Sequence, residues 1–174
     1  IAQISQKSGQ PVSFILPNYL VKEGKVSENL RFSSTYQYFA HPVEKLRPWL
    51  AAEATQQLFP RQIKKVELKP VNPQNIDANY KVSVGLGVIQ IPFNFKMRFY
   101  QPDSLQNQFN ANGGDLKFVK GGMRLLPQSQ GTLFQITSSM KIHDQAPFLL
   151  RAMRSMPYHD VLPAVGGNTV YALK

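Results

Sequence analysis

The chain has 174 residues and no cysteine, and 20 lysine and arginine residues against 10 aspartate and glutamate residues give a formal net charge of +10. This length indicates one domain that can bury roughly two-thirds of the surface exposed by the unfolded chain. The lack of cysteine excludes disulfides, thiolate metal sites and cysteine nucleophiles. No apolar run reaches the roughly 18 to 20 residues that a membrane-spanning helix needs.

The first 28 residues combine short apolar patches with two prolines and two glycines. This composition predicts an irregular N-terminal arm, residues 1–28, ahead of a domain formed by residues 29–174. The chain begins at Ile1 rather than methionine, which indicates either a removed targeting segment or a shortened chain. We therefore expect a periplasmic or secreted protein, with a cytoplasmic location as the alternative.

The segment "LRFSSTYQYFA" alternates as a strand does, with Tyr36 and Tyr38 on one face and Thr35 and Gln37 on the other. After Pro42 the apolar residues recur at helical spacing, which predicts a first short helix. The segment "AAEATQQLF" predicts a second short helix, which ends before Pro60. Two short helices are thus predicted to follow the first strand.

A long β region follows, punctuated by Pro, Asn, Asp and Gly. Six strands are predicted: Ile63–Val71, Asn79–Leu86, Ile91–Gln101, Leu105–Ala111, Leu116–Leu126 and Gly131–Ile142. The clearest alternation is "IPFNFKMRF", which predicts one apolar and one polar face. The glycine pairs at 85–87, 113–114 and 121–122 are interpreted as bends or turns rather than as phosphate-binding loops.

A helix is predicted near the C-terminus, where "APFLLRAMRSM" places Leu149, Met153 and Met156 on one stripe. Pro157 interrupts it. The expected fold is therefore α+β, a curved antiparallel sheet of about six to seven strands whose apolar face is covered by the C-terminal helix.

This order of elements resembles the START-like helix-grip superfamily, which includes polyketide cyclase/dehydrase-like, pollen-allergen-like and lipid-transfer proteins. The resemblance covers about residues 29 to 160. It is carried by "GGMRLLPQSQGTLFQITSSMKI" leading into "APFLLRAM", and by "YQYFAHPVEKLRPWLA" as the opening strand, turn and first helix. The N-terminal arm and the breaks at Pro157 and Pro163 depart from the family pattern.

The resemblance implies a cavity between the sheet and the helix for a sterol, fatty acid, isoprenoid or polyketide. Aromatic and methionine side chains suit such a lining, although an ordinary packed core uses the same residue types. The candidate ligand-binding residues are Tyr36, Tyr38, Phe93, Phe95, Met97, Phe99, Phe134, Ile136, Met140, Leu149, Met153 and Met156. The two tyrosines could supply a hydroxyl to a polar ligand head.

No catalytic residue, metal site or cofactor is predicted. His41, His143 and His159 are too dispersed to match a metal-ligand spacing, and the common hydrolase and phosphate-loop motifs do not occur. His143 next to Asp144, or His159 next to Asp160, could still place a proton-transfer group near a cavity mouth.

The positive charge favours anionic partners. Arg98, Arg124, Arg151 and Arg154 could contact an anionic lipid head or a membrane surface, or could simply be solvated. Nucleic acid is less favoured, because the aromatic residues of "FNFKMRFY" share the face that is expected to be buried.

The leading hypothesis is a non-enzymatic protein that binds or carries a hydrophobic, lipid-like ligand in the bacterial cell envelope. The second is an enzyme of polyketide cyclase or dehydrase type, which would need an ionisable group in the pocket. The third is a basic module that binds an anionic membrane surface.

Overall fold

An eight-stranded antiparallel sheet forms the body of the protein. The computed structural model describes residues 1–22, 25–86, 89–142, 145, 148, 167 and 169–174. The strands are β1 Val12–Lys22, β2 Lys25–Phe39, β3 Ile63–Asn72, β4 Asn75–Leu86, β5 Ile89–Asp103, β6 Gln106–Gly114, β7 Leu116–Gln128 and β8 Gly131–Ile142. Their order across the sheet is β1-β2-β8-β7-β6-β5-β4-β3. The predicted antiparallel sheet with few helices is confirmed, but the count of six to seven strands is too low.

The helices of the described part are all short. They are α1 Ala2–Ser8, α2 Val43–Leu46, the 3₁₀ helix Arg47–Leu50 and α3 Ala54–Leu58. The last three connect β2 to β3, where the sequence predicted two helices. The first predicted helix is divided at Pro48 into α2 and the 3₁₀ helix, because proline lacks the backbone N–H that would continue the α-helical hydrogen-bond ladder. Within the described residues, no helix combines the length and the apolar character needed to cross a membrane.

The additional strand, β1, comes from the segment that was predicted to be an irregular arm. It pairs with β2 from Val12 to Lys22, and the predicted boundary at residue 28 falls inside β2. Pro17 is tolerated because β1 is the edge strand, where one side of the backbone needs no partner. The N-terminal residues are therefore part of the sheet.

Helix α1 covers the edge of β2 beyond the start of β1. The Ser5 hydroxyl accepts a hydrogen bond from the Tyr38 backbone N–H and donates one to the Gln10 carbonyl, both at 2.9 Å. Gly9 ends the helix in the left-handed conformation, with φ of 65°. The backbone N–H of Tyr38, at the edge of β2 beyond β1, is thus hydrogen-bonded by a side chain instead of a neighbouring strand.

The two faces of the sheet differ in character. Residues directly opposite each other on neighbouring strands share a face, and the register from β2 to β4 places Phe39, Phe134, Leu125, Phe99 and Tyr80 on one side, here called the inner face. Two groups of buried residues pack on it. The first contains Phe39, Leu46, Leu50, Leu125, Phe134, Ile136 and Val170, and the second contains Ala52, Ile63, Ala78, Tyr80, Val82 and Phe99.

The predicted C-terminal helix falls on residues outside the described part, so it stays a prediction. At the end of the chain, residues 169–173 are helical. Val170 is fully buried in the first group, and Leu173 packs against that group. The Lys174 ammonium donates to the Gly9 carbonyl at 2.8 Å. The two ends of the described chain therefore meet at the same edge of the sheet.

Gly121 and Gly122 lie inside β7 and not in a turn, which corrects the interpretation from sequence. A Cβ on Gly121 would lie 2.1 Å from the Thr137 carbonyl oxygen and 2.7 Å from the Phe109 ring. Close approach of a ring and a backbone, rather than turn geometry, requires glycine at this position. At the β6–β7 turn, Gly114 does have a positive φ of 79°.

Candidate functional site

The inner face of β4 and β5 carries an aromatic surface. Phe93, Phe95, Met97 and Phe99 alternate along β5 and pair with Val82, Tyr80, Ala78 and Ile76 of β4. The rings of Tyr80 and Phe95 stack with centroids 4.9 Å apart, and those of Phe93 and Phe95 stack at 5.8 Å. The predicted alternation of β5 therefore places four of the candidate residues on one face.

This aromatic surface is only partly covered. Phe93, Phe95 and Met97 are half-buried, as are Phe109 and Met123 on the adjoining strands, whereas Phe99 is buried. Half-burial leaves large apolar side chains within reach of another molecule, and burial of such area is the main source of binding energy for an apolar ligand.

A polar stripe lies at the other end of the inner face, on β2 and β8. Ser33, Thr35 and Gln37 of β2 lie there, next to Ser138 of β8, and all four are buried. The Thr35 hydroxyl forms a 2.9 Å hydrogen bond with the Ser13 hydroxyl. Sequence reasoning did not propose these residues, because in a half-buried strand the aromatic face is normally the one that turns inward.

Among the residues that the structure describes, three buried oxygen atoms on the inner face have no hydrogen-bond partner: Ser33 Oγ, Gln37 Oε1 and Asn107 Oδ1. Gln37 and Asn107 are 2% and 1% exposed. Their amide nitrogens donate to the backbone carbonyls of Tyr38 and Leu50. Because a carbonyl can only accept, these bonds set the orientation of both amides and leave each side-chain oxygen as a free acceptor.

Such unpartnered acceptors are unfavourable in a folded protein, since a buried group without a partner costs about 1–3 kcal/mol. Asn107 lies directly opposite the half-buried Met123 on the inner face, and its oxygen is itself buried. A hydroxyl or amide N–H on a bound molecule would satisfy it.

Tyr80 is the ionisable side chain among the described inner-face residues. Its hydroxyl donates to the Thr55 hydroxyl of α3 at 3.3 Å. Burial raises the pKa of Tyr80 to about 12, against a smaller opposing effect of this hydrogen bond. The phenol therefore keeps its proton at neutral pH and acts as a packing and hydrogen-bonding group.

Tyr36 and Tyr38 do not lie with the phenylalanines, and the prediction that they share one lining is corrected here. The register places both on the outer face, opposite to Phe134. The Tyr36 hydroxyl accepts from Gln135 Nε2 at 3.0 Å, and the Tyr38 hydroxyl donates to the Gln130 carbonyl at 2.6 Å. Alternation identifies the two faces of a strand but not which face is covered.

The remaining candidates are divided between the core and the parts that the structure leaves undescribed. Phe134 and Ile136 are buried on the inner face within the first core group. Met140 belongs to β8, although the placement of its side chain is not described. Outside the described residues are Leu149, Met153, Met156, Arg151, Arg154, His143, Asp144, His159 and Asp160. His41 is exposed, and its carbonyl accepts from the Thr132 hydroxyl at 2.9 Å.

The sequence matches no family model and no curated protein. Solved structures show clear similarity of fold. An aromatase/cyclase, Zhui from Streptomyces sp. R1128, has a TM-score of 0.60 at 12% identity, covering 83% of this chain and 94% of its own. A START superfamily protein from Mycobacterium smegmatis has a TM-score of 0.59 at 16% identity, covering 82% and 93%.

A third similar structure is named as a STAR-related lipid transfer protein from Xanthomonas axonopodis. It has a TM-score of 0.55 at 10% identity and covers 83% of this chain and 87% of its own. Identities this low establish the architecture and not the activity. The sheet order and these similarities together show that the chain has the START-like fold.

Proposed function

We propose that this protein binds a hydrophobic, lipid-like ligand against the inner face of its sheet. The observation that carries the proposal is the partly covered surface of Phe93, Phe95 and Met97. A packed core would bury these side chains completely, so their exposed fraction forgoes part of the roughly 1.5–3 kcal/mol that full burial of each one would contribute. A ligand that covers them recovers that free energy on binding.

The polar atoms of the inner face indicate which kind of apolar ligand fits. The Asn107 oxygen is an acceptor without a donor, so a ligand that reaches it would place a hydroxyl or amide N–H there rather than a carboxylate. The ligand would place its apolar body on the β5 aromatic surface and its donor near Asn107. A hydroxylated lipid or polyketide has this combination, and a simple fatty acid does not.

The binding experiment has two parts. The purified protein is extracted with organic solvent and the extract is examined by mass spectrometry, and the stripped protein is titrated with Nile red. Phe95→Leu and Met97→Gln are expected to weaken Nile red binding by about 5- to 10-fold, which corresponds to about 1–1.4 kcal/mol of lost contact.

The matched control is Tyr100→Leu. Tyr100 lies on the outer face of the same strand and is 37% exposed, so its substitution should leave binding unchanged. A protein that copurifies with no apolar molecule and binds no Nile red would contradict the proposal. Equal effects of the inner and outer variants would place the ligand elsewhere.

The alternative is an enzyme of polyketide cyclase or dehydrase type that uses the same face. The buried acceptors beside apolar side chains support it, because they could orient a reactive hydroxylated chain. Product analysis after incubation with a linear polyketide substrate distinguishes the two: a carrier returns the substrate unchanged, whereas an enzyme converts it.

A further inference from the structure

The outer face of strands β3 to β7 is strongly basic. The register places seven exposed cationic side chains on it: Lys65, Lys69, Lys81, Lys96, Arg98, Lys120 and Arg124. We call this surface the basic face. Neighbouring strands are about 4.8 Å apart, so the five strands spread these charges over roughly 19 Å. The face is therefore wide enough to meet an extended anionic surface.

Three acids on this side of the sheet neutralise part of the charge: Glu67, Asp77 and Asp103, the last of which interacts with Arg124. Glu67 lies 2.6 Å from the Lys65 ammonium, and Asp77 accepts two hydrogen bonds from Arg98, at 2.6 and 2.8 Å. These bonds hold the pKa of both carboxyls below the ordinary value, so both are charged at neutral pH. Among the described residues, the other five cations of the basic face form no direct ion pair: Lys69, Lys81, Lys96, Lys120 and Arg124. Three of them, Lys69, Lys81 and Arg124, still interact electrostatically with the nearby acids Asp77, Glu67 and Asp103.

A shallow groove of about 160 Å³ runs through the basic face on β3, β4 and β5. Three lysines and one acid line it together with amide, aromatic and glycine residues: Lys65, Lys81, Lys96, Glu67, Asn79, Asn94, Tyr80, Phe95 and Gly114. Asp115, in the adjoining turn, accepts from the Asn94 backbone N–H at 2.8 Å. A phosphate group is small enough to enter a space of this volume, where the ammonium groups of Lys81 and Lys96 would contact it, because the Lys65 ammonium is bound to Glu67.

We propose that the basic face docks on a bilayer that contains anionic phospholipids. Lysine predominates, and Arg98 is already held by Asp77. Hydrated lysine ammonium groups suit adsorption to lipid headgroups, whereas planar arginine is the usual choice for bidentate recognition of nucleic acid. Five cations without a direct ion pair give the charge complementarity that such docking needs.

The polar residues between the cations also favour a bilayer over the other anionic partners. Asn79, Asn94 and Asn110 are exposed and lie directly opposite Lys96, Lys81 and Arg98 on the neighbouring strands. Protein interfaces are anchored by aromatic or apolar side chains at their centre, and single-stranded nucleic acids stack on aromatic rings. The centre of the basic face presents amides in those places, which suits contact with hydrated headgroups.

This inference is independent of ligand binding on the inner face. Because the basic face is on the opposite side of the sheet, docking through it turns the aromatic surface of β5 away from the bilayer. The protein would then be held at a membrane with its inner face directed away from the bilayer.

The test is cosedimentation of the full chain with phosphatidylcholine vesicles, with and without roughly one-third phosphatidylglycerol. We expect binding to the anionic vesicles alone, with loss of binding between about 0.05 and 0.5 M salt. Each lysine at an anionic surface contributes about a fivefold factor in partitioning, so Lys81→Gln with Lys96→Gln should reduce partitioning by about 25-fold.

The matched control is Lys7→Gln with Lys45→Gln, which removes the same charge from exposed positions on α1 and α2. It should retain partitioning within about twofold. Equal loss in both double variants would mean that net charge, not this face, drives binding, and would overturn the proposal. So would the absence of binding to anionic vesicles, or tighter binding to a thymidine oligonucleotide that is lost in the Lys81 and Lys96 variant.

Discussion

Asn107→Asp should make the stability of the protein depend on pH. The substitution keeps the shape of the side chain but replaces an amide, 1% exposed and bound to the Leu50 carbonyl, by a group that can ionise. When protonated, the carboxyl can still donate to Leu50. When ionised, it has lost its donor, faces a carbonyl oxygen and is buried, all of which disfavour the charged form.

The sign follows from linkage. The pKa of the new carboxyl in the folded protein is raised above that of the unfolded chain, about 3.9. Stability is therefore retained below about pH 4 and decreases by about 1.4 kcal/mol for each pH unit above it, until the folded carboxyl ionises. If burial raises the pKa by two to three units, the loss near pH 7 is about 3–4 kcal/mol.

Urea unfolding of the wild type and Asn107→Asp at about pH 4, 5, 6 and 7 measures this slope. Asn110→Asp is the matched control on the same strand: Asn110 is exposed on the outer face, opposite Arg98 and Lys120. Its carboxylate would meet cations, so no loss of stability with rising pH is expected. A curve for Asn107→Asp that runs parallel to the wild type would refute the buried contact with Leu50.

Two further predictions concern the inner face. Gly121→Ala should lower the free energy of unfolding by about 1–3 kcal/mol, measured by urea unfolding, because the added Cβ would lie 2.1 Å from the Thr137 carbonyl oxygen. The control is Gly113→Ala, in which the atom nearest to the added Cβ is 4.0 Å away. A comparable loss of stability in the control would argue against the β7 packing. In a spectrophotometric titration at alkaline pH, one tyrosine should titrate near pH 12, and its step should vanish in Tyr80→Phe. Because burial raises this pKa, the stability that depends on the protonated phenol declines as the pH rises from about 10 towards 12. An unchanged titration curve for the variant would contradict the assignment.

Local patterns in the sequence were sufficient to locate most strands. The predicted strand Gly131–Ile142 has the same bounds as β8, and the alternation along β5 placed Phe93, Phe95, Met97 and Phe99 together on one face as predicted. Period-two alternation and the breakers between strands are local properties, so they can be read without knowing what the strand packs against.

The arrangement of the candidate site could be predicted only in part. Ser33, Thr35 and Gln37 were missed and Tyr36 and Tyr38 were assigned to the wrong face, because the alternation of β2 is equally compatible with either side turned inward. Asn107 lies in a segment without any motif. Its significance comes from the Leu50 carbonyl, 57 positions away in the chain.

The sequence by itself determined the strands from β2 to β8, the presence of short helices after β2 and the two-sided character of β5, since each depends on the intrinsic geometry of neighbouring residues. Only the tertiary structure decided that β1 joins the sheet, that β2 pairs with β8 about 100 residues later, and that the outer cations form one surface. Those features depend on pairing between distant segments, which sets the register and decides which face of each strand is covered.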